Sequence, residues 1–152
     1  KPIISKGGCN LSFAGLKTAI LKITNNITNE KEKYDLAASF QKTIEEILYV
    51  KTKIAFKEFL KKFSINKRLF IVAGGVAANN GIRKKLIQVS NENKFEAIFP
   101  DLKLCGDNAA MIALVGLEKY KLKKFDTLSL QVNPRMVLDK DAKYLKGSGV
   151  KY

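Results

Sequence analysis

An apolar segment that leads directly into two adjacent glycines constrains the fold of this chain more than any other feature. Residues 69–73 read Leu-Phe-Ile-Val-Ala, and such a run is typical of a strand buried on both faces of a sheet covered by helices. Gly74 and Gly75 follow it. Glycine adopts backbone conformations that other residues avoid, and it leaves room for a ligand to approach the backbone. The sequence therefore predicts a strand, a glycine turn and a helix over residues 80–89.

The predicted helix after the glycines makes this turn a candidate binding site. The first N–H groups of the helix and the positive end of its dipole would face the turn, which favours an anionic group such as a nucleotide or an acyl phosphate. Paired glycines after a buried strand are also common where a helix packs closely on a sheet. Both interpretations stay open on this segment alone.

The length and composition indicate a folded protein of moderate size. With 152 residues, of which 46% are hydrophobic, the chain can bury a core, and we expect one domain or one lobe of a larger one. It begins with Lys1 rather than Met, which favours a piece of a longer chain. No stretch is apolar and long enough for a membrane span, and the first residues lack the pattern of a secretory signal. We therefore expect a soluble cytoplasmic protein without a membrane partner.

The cysteines, the histidine content and the charge limit the chemistry. Cys9 and Cys105 lie far apart without a CxxC pair, which predicts reduced packing residues. The chain contains no histidine, which excludes a histidine-based metal site, a Ser-His-Asp triad and an HExxH protease within it. Its net charge of +14 favours a polyanionic partner such as RNA. A codon bias towards Lys, Asn and Ile is the alternative explanation of that charge.

Helical and extended patterns alternate along the chain, which indicates an α/β lobe. The predicted strands cover residues 10–13, 69–73, 95–99 and 127–132. The predicted helices cover residues 16–23, 80–89 and 109–121, and a long one runs from residue 34 or 35 to a break at residues 64–67. Polar connectors are predicted over residues 25–33, 90–94 and 101–106.

Two polar residues are placed as site residues would be. Asp107 lies in a Cys-Gly-Asp-Asn loop before a predicted helix, where it would either cap the helix or supply a hard oxygen ligand to a metal. Asn79 follows the glycines, and its amide would either cap the next helix or bind a polar ligand held over Gly74 and Gly75.

Five segments occur in the order seen in one known family. Residues 11–19, 35–41, 72–79, 105–113 and 132–135 read Leu-Ser-Phe-Ala-Gly-Leu-Lys-Thr-Ala, Asp-Leu-Ala-Ala-Ser-Phe-Gln, Val-Ala-Gly-Gly-Val-Ala-Ala-Asn, Cys-Gly-Asp-Asn-Ala-Ala-Met-Ile-Ala and Val-Asn-Pro-Arg. In these segments the chain resembles the C-terminal part of the tRNA N6-adenosine threonylcarbamoyltransferase family, formerly known as O-sialoglycoprotein endopeptidase.

The resemblance implies a fold and a domain organisation. The fold is α/β and is one lobe of an actin-like, sugar-kinase-like and Hsp70-like (ribonuclease H-like) fold, with a mixed sheet covered by helices. Residues 1–138 would form the C-terminal lobe, and residues 139–152 a charged, mobile tail. The N-terminal lobe of the family would lie outside this chain.

The resemblance also implies an activity and its partners. The family transfers a threonylcarbamoyl group from threonylcarbamoyl-AMP to N6 of adenosine 37, in tRNAs that read codons starting with A. Bacterial members act with a paralogous partner protein and a small ATPase. Asn79, with Gly74 and Gly75, corresponds to the loop that binds the adenylate or ATP-type ligand. Asp107 corresponds to a ligand of a divalent metal, iron or zinc, and no residue of this chain is assigned as catalytic.

This chain departs from the family at the metal site, which the family completes with two histidines of an HxxxH motif in the N-terminal lobe. We therefore expect the isolated chain to bind metal weakly and to be inactive. Two other hypotheses are kept beside the transferase: a non-catalytic actin-like module that binds nucleotide or RNA, and the former protease assignment. A further hypothesis is that basic residues contact tRNA. They are Lys61, Lys62, Lys67, Arg68, Arg83, Lys84 and Lys85.

Overall fold

The computed structural model describes residues 7–132, which form a mixed α and β structure as predicted. The chain divides between Asn108 and Ala109 into two units. The first contains α1 (Ala14–Thr24), α2 (Glu30–Lys62), β1 (Leu69–Ile71), α3 (Asn80–Glu92) and β2 (Glu96–Ile98), and the second contains α4 (Ala109–Lys121). No helix in the described part of the chain is long and apolar enough to cross a membrane.

The strands β1 and β2 form a parallel pair, in which Phe70 lies opposite Ala97. A parallel pair needs a long crossover connection, and α3 provides it. The two strands are parallel, so residues 7–132 do not show the mixed sheet that the resemblance implies. The expectation that residues 69–73 are buried on both faces is wrong, because Leu69 and Ile71 are 41% and 68% exposed. Side chains alternate between the faces of a strand, and in the described structure Phe70 and Val72 pack on the core.

The other two predicted strands are wrong. Residues 10–13 have no regular structure before α1 begins, and residues 127–132 form an irregular segment with a turn. Neither segment pairs with β1 or β2. An extended segment becomes a strand only when its backbone N–H and C=O groups pair with a neighbour, and the alternation in these segments carries no information about such a neighbour.

The long helix α2 begins at Glu30, so the prediction of a polar connector through residue 33 is wrong in part. The Asn29 side chain accepts a hydrogen bond from the Glu32 N–H at 2.9 Å, and the Glu32 carboxylate accepts one from the Thr28 N–H at 2.9 Å. The backbone N–H of Thr28, and then its hydroxyl, lower the pKa of Glu32. This cap is similar to a capping box, with the Glu32 carboxylate bound to the N–H of the residue before the N-cap, and it fixes the start of the helix about one turn earlier than predicted.

The remaining helices and β2 confirm the predictions. The structure places α1 over the predicted helix at residues 16–23, β2 within residues 95–99, and α4 at the predicted bounds. The helix α3 continues to Glu92 and so includes part of the predicted loop at residues 90–94. Residues 133–135 of the Val-Asn-Pro-Arg segment and the predicted tail at residues 139–152 lie outside the described residues.

The core lies between α2, α3 and the sheet. Its buried residues are Phe56, Ile82, Leu86, Val89 and Phe95. The Phe56 ring stacks on the Phe95 ring with centroids 3.9 Å apart. The Phe70 ring contacts the Phe56 ring edge-on, with centroids 5.0 Å apart. A smaller cluster of Leu16 and Ile47 joins α1 to α2. The core therefore fixes α3, and with it the glycine turn, against the long helix.

A polar contact joins α2 and α3 at the surface. The Tyr49 hydroxyl donates a short hydrogen bond to the Glu92 carboxylate, which also accepts one from the Gln88 amide at 2.8 Å. The hydrogen bond from Tyr49, and to a smaller extent that from Gln88, lowers the pKa of Glu92. The hydrogen bond to Glu92 also raises the pKa of Tyr49. The Lys85 ammonium lies 4.8 Å from the Tyr49 ring centroid.

We expect Tyr49→Phe to raise the pKa of Glu92 towards its ordinary value of 4.5, because the donor that stabilises the carboxylate is lost. A lowered carboxyl pKa stabilises the folded state above the ordinary pKa, and this stabilisation is lost as the pH falls through the folded pKa. The stability difference between wild type and variant should therefore shrink below about pH 4. An NMR titration of the Glu92 carboxyl carbon measures the shift. Tyr34→Phe, at an exposed tyrosine of α2, is the control, and an unchanged Glu92 pKa in Tyr49→Phe would contradict the assignment.

Candidate functional site

The glycine turn is open and has a shape that requires glycine at one position. Gly74 has a φ of +93°, which side chains strongly disfavour. Residues Gly75–Ala78 form a 3-10 turn between β1 and α3, which the sequence did not predict. A Cβ atom added at Gly74 or at Gly75 would meet no atom of residues 7–132 within 4 Å. A ligand can therefore approach the backbone of both glycines.

The N-terminus of α3 is used differently from the prediction. The Asn79 side chain caps the helix by accepting a hydrogen bond from the Ile82 N–H at 3.0 Å. The N–H groups of Ala77 and Asn79 close the 3-10 turn. Of the helix N–H groups expected to face a ligand, that of Ile82 is thus occupied, and the exposed backbone of Gly74 and Gly75 becomes the main candidate for contact with an anion.

The Asn79 amide is held by Gln41 of α2. Its Oδ1 accepts a hydrogen bond from Gln41 Nε2 at 2.9 Å, and its Nδ2 donates one to Gln41 Oε1 at 3.1 Å. The hydrogen bond from the Ile82 N–H confirms the cap interpretation of Asn79. An amide nitrogen carries two hydrogens, so one N–H of Asn79 is left for a ligand. Binding of a ligand by Asn79 stays a prediction.

A third side chain and a glycine complete this contact between α2 and α3. Gln41 also donates to Glu45 Oε1 at 2.7 Å. A Cβ atom at Gly81 would lie 2.2 Å from that oxygen and 2.8 Å from Gln41 Nε2. Because Gly81 has no side chain, α2 and α3 lie close enough for the amides of Gln41 and Asn79 to form their two hydrogen bonds. The sequence placed Gln41 in a family segment without indicating this contact, which joins residues 38 positions apart.

Arg83 connects the glycine turn to a second loop. Its Nε donates a short hydrogen bond to the Ala77 carbonyl oxygen. Its Nη2 donates to the Pro100 carbonyl oxygen at 2.9 Å and to Cys105 Sγ at 3.2 Å. From the sequence, we predicted that Arg83 is one of the surface cations that contact tRNA. The structure instead directs its guanidinium to neighbouring loops, whereas Lys84 is exposed.

Asp107 follows this second loop and is exposed. The loop contains a short 3-10 turn, Leu102–Leu104, and then Cys105, which is 3% exposed. Both cysteines are free, and Cys9 is exposed. The prediction of a packing role is thus confirmed for Cys105 and wrong for Cys9. Whether Asp107 caps α4 or binds a metal stays a prediction.

Residues 7–132 do not group a complete metal site. Asp107 offers one carboxylate, and the sequence has no histidine. Within residues 7–132, no three His, Cys, Asp or Glu side chains are grouped to hold a metal ion. Iron and zinc sites in proteins use three or more protein ligands. The donors within residues 7–132 therefore do not fit such an ion on their own.

The parallel strands, the crossover helix and the open glycine turn define an α/β protein with a candidate anion-binding loop. The chain belongs to the tRNA N6-adenosine threonylcarbamoyltransferase family, whose model matches residues 1–114. It is 67% identical over 151 residues to the tRNA N6-adenosine threonylcarbamoyltransferase of Pelagibacter ubique, and this match covers 99% of the chain and 42% of the relative.

Two other relatives with the same name are more distant. The protein of a Ruegeria species is 43% identical, with 99% of this chain and 43% of the relative covered. That of Rickettsia rickettsii is 42% identical, with 91% of this chain and 41% of the relative covered. The chain thus spans about two fifths of the length of the curated relatives it matches.

Proposed function

We propose that this chain forms the part of a tRNA threonylcarbamoyltransferase that binds the adenylate of the donor, threonylcarbamoyl-AMP. The observation that carries the proposal is the open backbone of Gly74 and Gly75, with the Asn79 amide fixed beside it by Gln41. The family to which the chain belongs supports the substrate class.

The chemistry of the donor is consistent with such a turn. In the transfer, N6 of the tRNA adenosine attacks the carbamoyl carbon of the mixed anhydride. A new C–N bond forms, the bond from this carbon to the phosphate oxygen breaks, and AMP leaves as N6 loses a proton. Negative charge builds up on the departing phosphate, and N–H donors placed beforehand stabilise it. In this proposal the backbone of Gly74 and Gly75 and the remaining N–H of Asn79 are those donors.

We propose that the isolated chain is inactive and binds metal weakly. Asp107 would provide one ligand to the divalent metal, iron or zinc, and the remaining ligands would come from outside this chain. In the cell, a paralogous partner protein and a small ATPase are the proposed partners, and tRNA is the acceptor. Tight stoichiometric metal binding and full transferase activity in the 152-residue chain would contradict this proposal.

A chimeric enzyme tests the proposed function. The high identity with the Pelagibacter ubique relative allows this chain to replace the matching segment of that protein. The chimera is incubated with threonylcarbamoyl-AMP, the partner proteins and unmodified tRNA, and modified adenosine is measured by mass spectrometry. We expect transfer at a rate within about tenfold of the parent. A folded chimera that binds an adenylate analogue or RNA without transfer would favour the non-catalytic module instead.

The surface lysines of α3 give a separate prediction about tRNA. We expect charge reversal at Lys84 and Lys85 to lower the slope of tRNA affinity against salt concentration by roughly two, because each lost phosphate contact removes about one released counterion. Charge reversal at exposed Lys84 alone should lower the slope by roughly one, and Lys85 also lies against the Tyr49 ring. Filter binding of the chimera at several salt concentrations measures the slope. Lys57→Glu, at an exposed residue of α2, is the control, and equal slopes in all variants would assign the lysines to solubility.

A further inference from the structure

We propose that Arg83 is a positioning residue for the transfer reaction. It holds the glycine turn at a fixed separation from the loop of residues 99–108, which contains Asp107. The inference rests on the proposed function. Arg83 donates to Ala77 on one side and to Pro100 and Cys105 on the other. One rigid group therefore connects the two segments that carry the predicted site residues.

The contacts of Arg83 fall close to those site residues along the chain. Ala77 precedes Asn79 by two residues, and Cys105 precedes Asp107 by two. The backbone is fixed at Ala77, and the Cys105 thiol is buried. Each of these residues is separated from its site residue, Asn79 or Asp107, by a single residue, so the site residues can move little relative to them. A change at Arg83 would therefore shift Asn79 and Asp107 relative to each other.

The geometry requires arginine rather than any cation. A guanidinium is planar and donates in several fixed directions, whereas an ammonium is a point charge at the end of a flexible stem. The Phe99 ring lies 4.9 Å from the guanidinium carbon of Arg83 and restrains the orientation of that group. A lysine at this position could satisfy one loop at a time.

The charge of Arg83 also suits an anionic ligand. Its described hydrogen-bond acceptors are two carbonyl oxygens and a thiol, and none of them is a carboxylate. Since these acceptors carry no formal charge, the positive charge of Arg83 is not neutralised by them. It adds to the positive potential at the start of α3, beside the turn that is proposed to bind the adenylate phosphate.

The test compares Arg83→Lys and Arg83→Met with wild type in the chimeric enzyme. We expect both variants to lower kcat by about 10- to 100-fold, because misplacement of site residues by about 1 Å costs a rate factor of this size. The KM for tRNA should change by less than about twofold, since the contacts of Arg83 are internal. Lys57→Met, which removes an exposed charge on α2, should leave kcat unchanged.

A second readout follows Cys105 directly. Wild-type Cys105 is 3% exposed and should react slowly with a thiol reagent, and its labelling, measured by peptide mass spectrometry, should accelerate at least tenfold in Arg83→Lys. Exposed Cys9 serves as the internal reference. A wild-type chimera without activity would overturn the proposed function. An active wild type together with Arg83 variants of unchanged kcat, or of unchanged Cys105 labelling, would overturn the positioning role alone.

Discussion

Asn79→Asp is expected to leave the fold intact and to weaken binding of an adenylate analogue by at least about 100-fold. Aspartate caps a helix as well as asparagine does, and its carboxylate can still accept the hydrogen bonds from Ile82 and Gln41. It cannot donate, however, and it places a negative charge beside the proposed phosphate site, where like charges repel. Calorimetric titration of the chimera with a non-hydrolysable adenylate analogue measures the loss.

Asn79→Ala is the matched variant that removes the cap as well. We expect it to lose both binding and about 1 kcal/mol of stability, since an N-cap side chain contributes roughly this amount. Gln41 would also lose its partner for both amide atoms. If Asn79→Asp bound the analogue as tightly as wild type, Asn79 would be a helix cap and nothing more.

Phe56→Ala is expected to lower the free energy of unfolding by about 3–5 kcal/mol. Phe56 is 4% exposed, stacks on Phe95 and meets Phe70 edge-on, so its removal leaves a cavity between α2 and the sheet. A domain of this size is stable by about 5–15 kcal/mol. The substitution would therefore remove a large share of the total stability. Urea denaturation of the chain, followed by circular dichroism, measures the change.

An exposed aromatic residue of the same helix is the control for Phe56. Tyr34 is 65% exposed, and we expect Tyr34→Ala to change the free energy of unfolding by less than about 0.5 kcal/mol. Equal losses in the two variants would show that the stability of α2 depends on its own helical propensity and not on the aromatic core.

Local sequence signals predicted the presence of the four helices and the glycine turn before α3, although α2 begins earlier and α3 ends later than predicted. The apolar spacing of α3 and α4 and the glycines before α3 depend on neighbouring residues only, and the structure follows them. The strands at residues 10–13 and 127–132 were wrong because strand formation depends on a partner that alternation does not identify. The cap at Asn29 is also local, and the Asn-x-x-Glu pattern would have shown it.

The contacts that shape the candidate site could not be predicted from local patterns. Gln41 reaches Asn79 only because α2 packs on α3, with Gly81 leaving the space between them. Arg83 had the appearance of a surface cation because charge patterning does not distinguish an exposed guanidinium from one directed to nearby carbonyl groups. The resemblance predicted Asn79 and Asp107 as site residues. The structure adds the contacts of Gln41 and Arg83 with the segments around them.

Binding of the adenylate by the backbone of the glycine turn is tested most directly by the affinity of the Gly75→Val chimera for the adenylate analogue. A Cβ atom at Gly75 meets no atom of the described part of the chain within 4 Å, and unlike Gly74 this residue has no positive φ. The free protein should therefore tolerate the valine, and its melting temperature should stay within about 2 °C of wild type. We predict at least about tenfold weaker binding, because the side chain would fill the space of the ligand. Unchanged affinity in a folded Gly75→Val protein would show that the backbone of the glycine turn does not bind the adenylate.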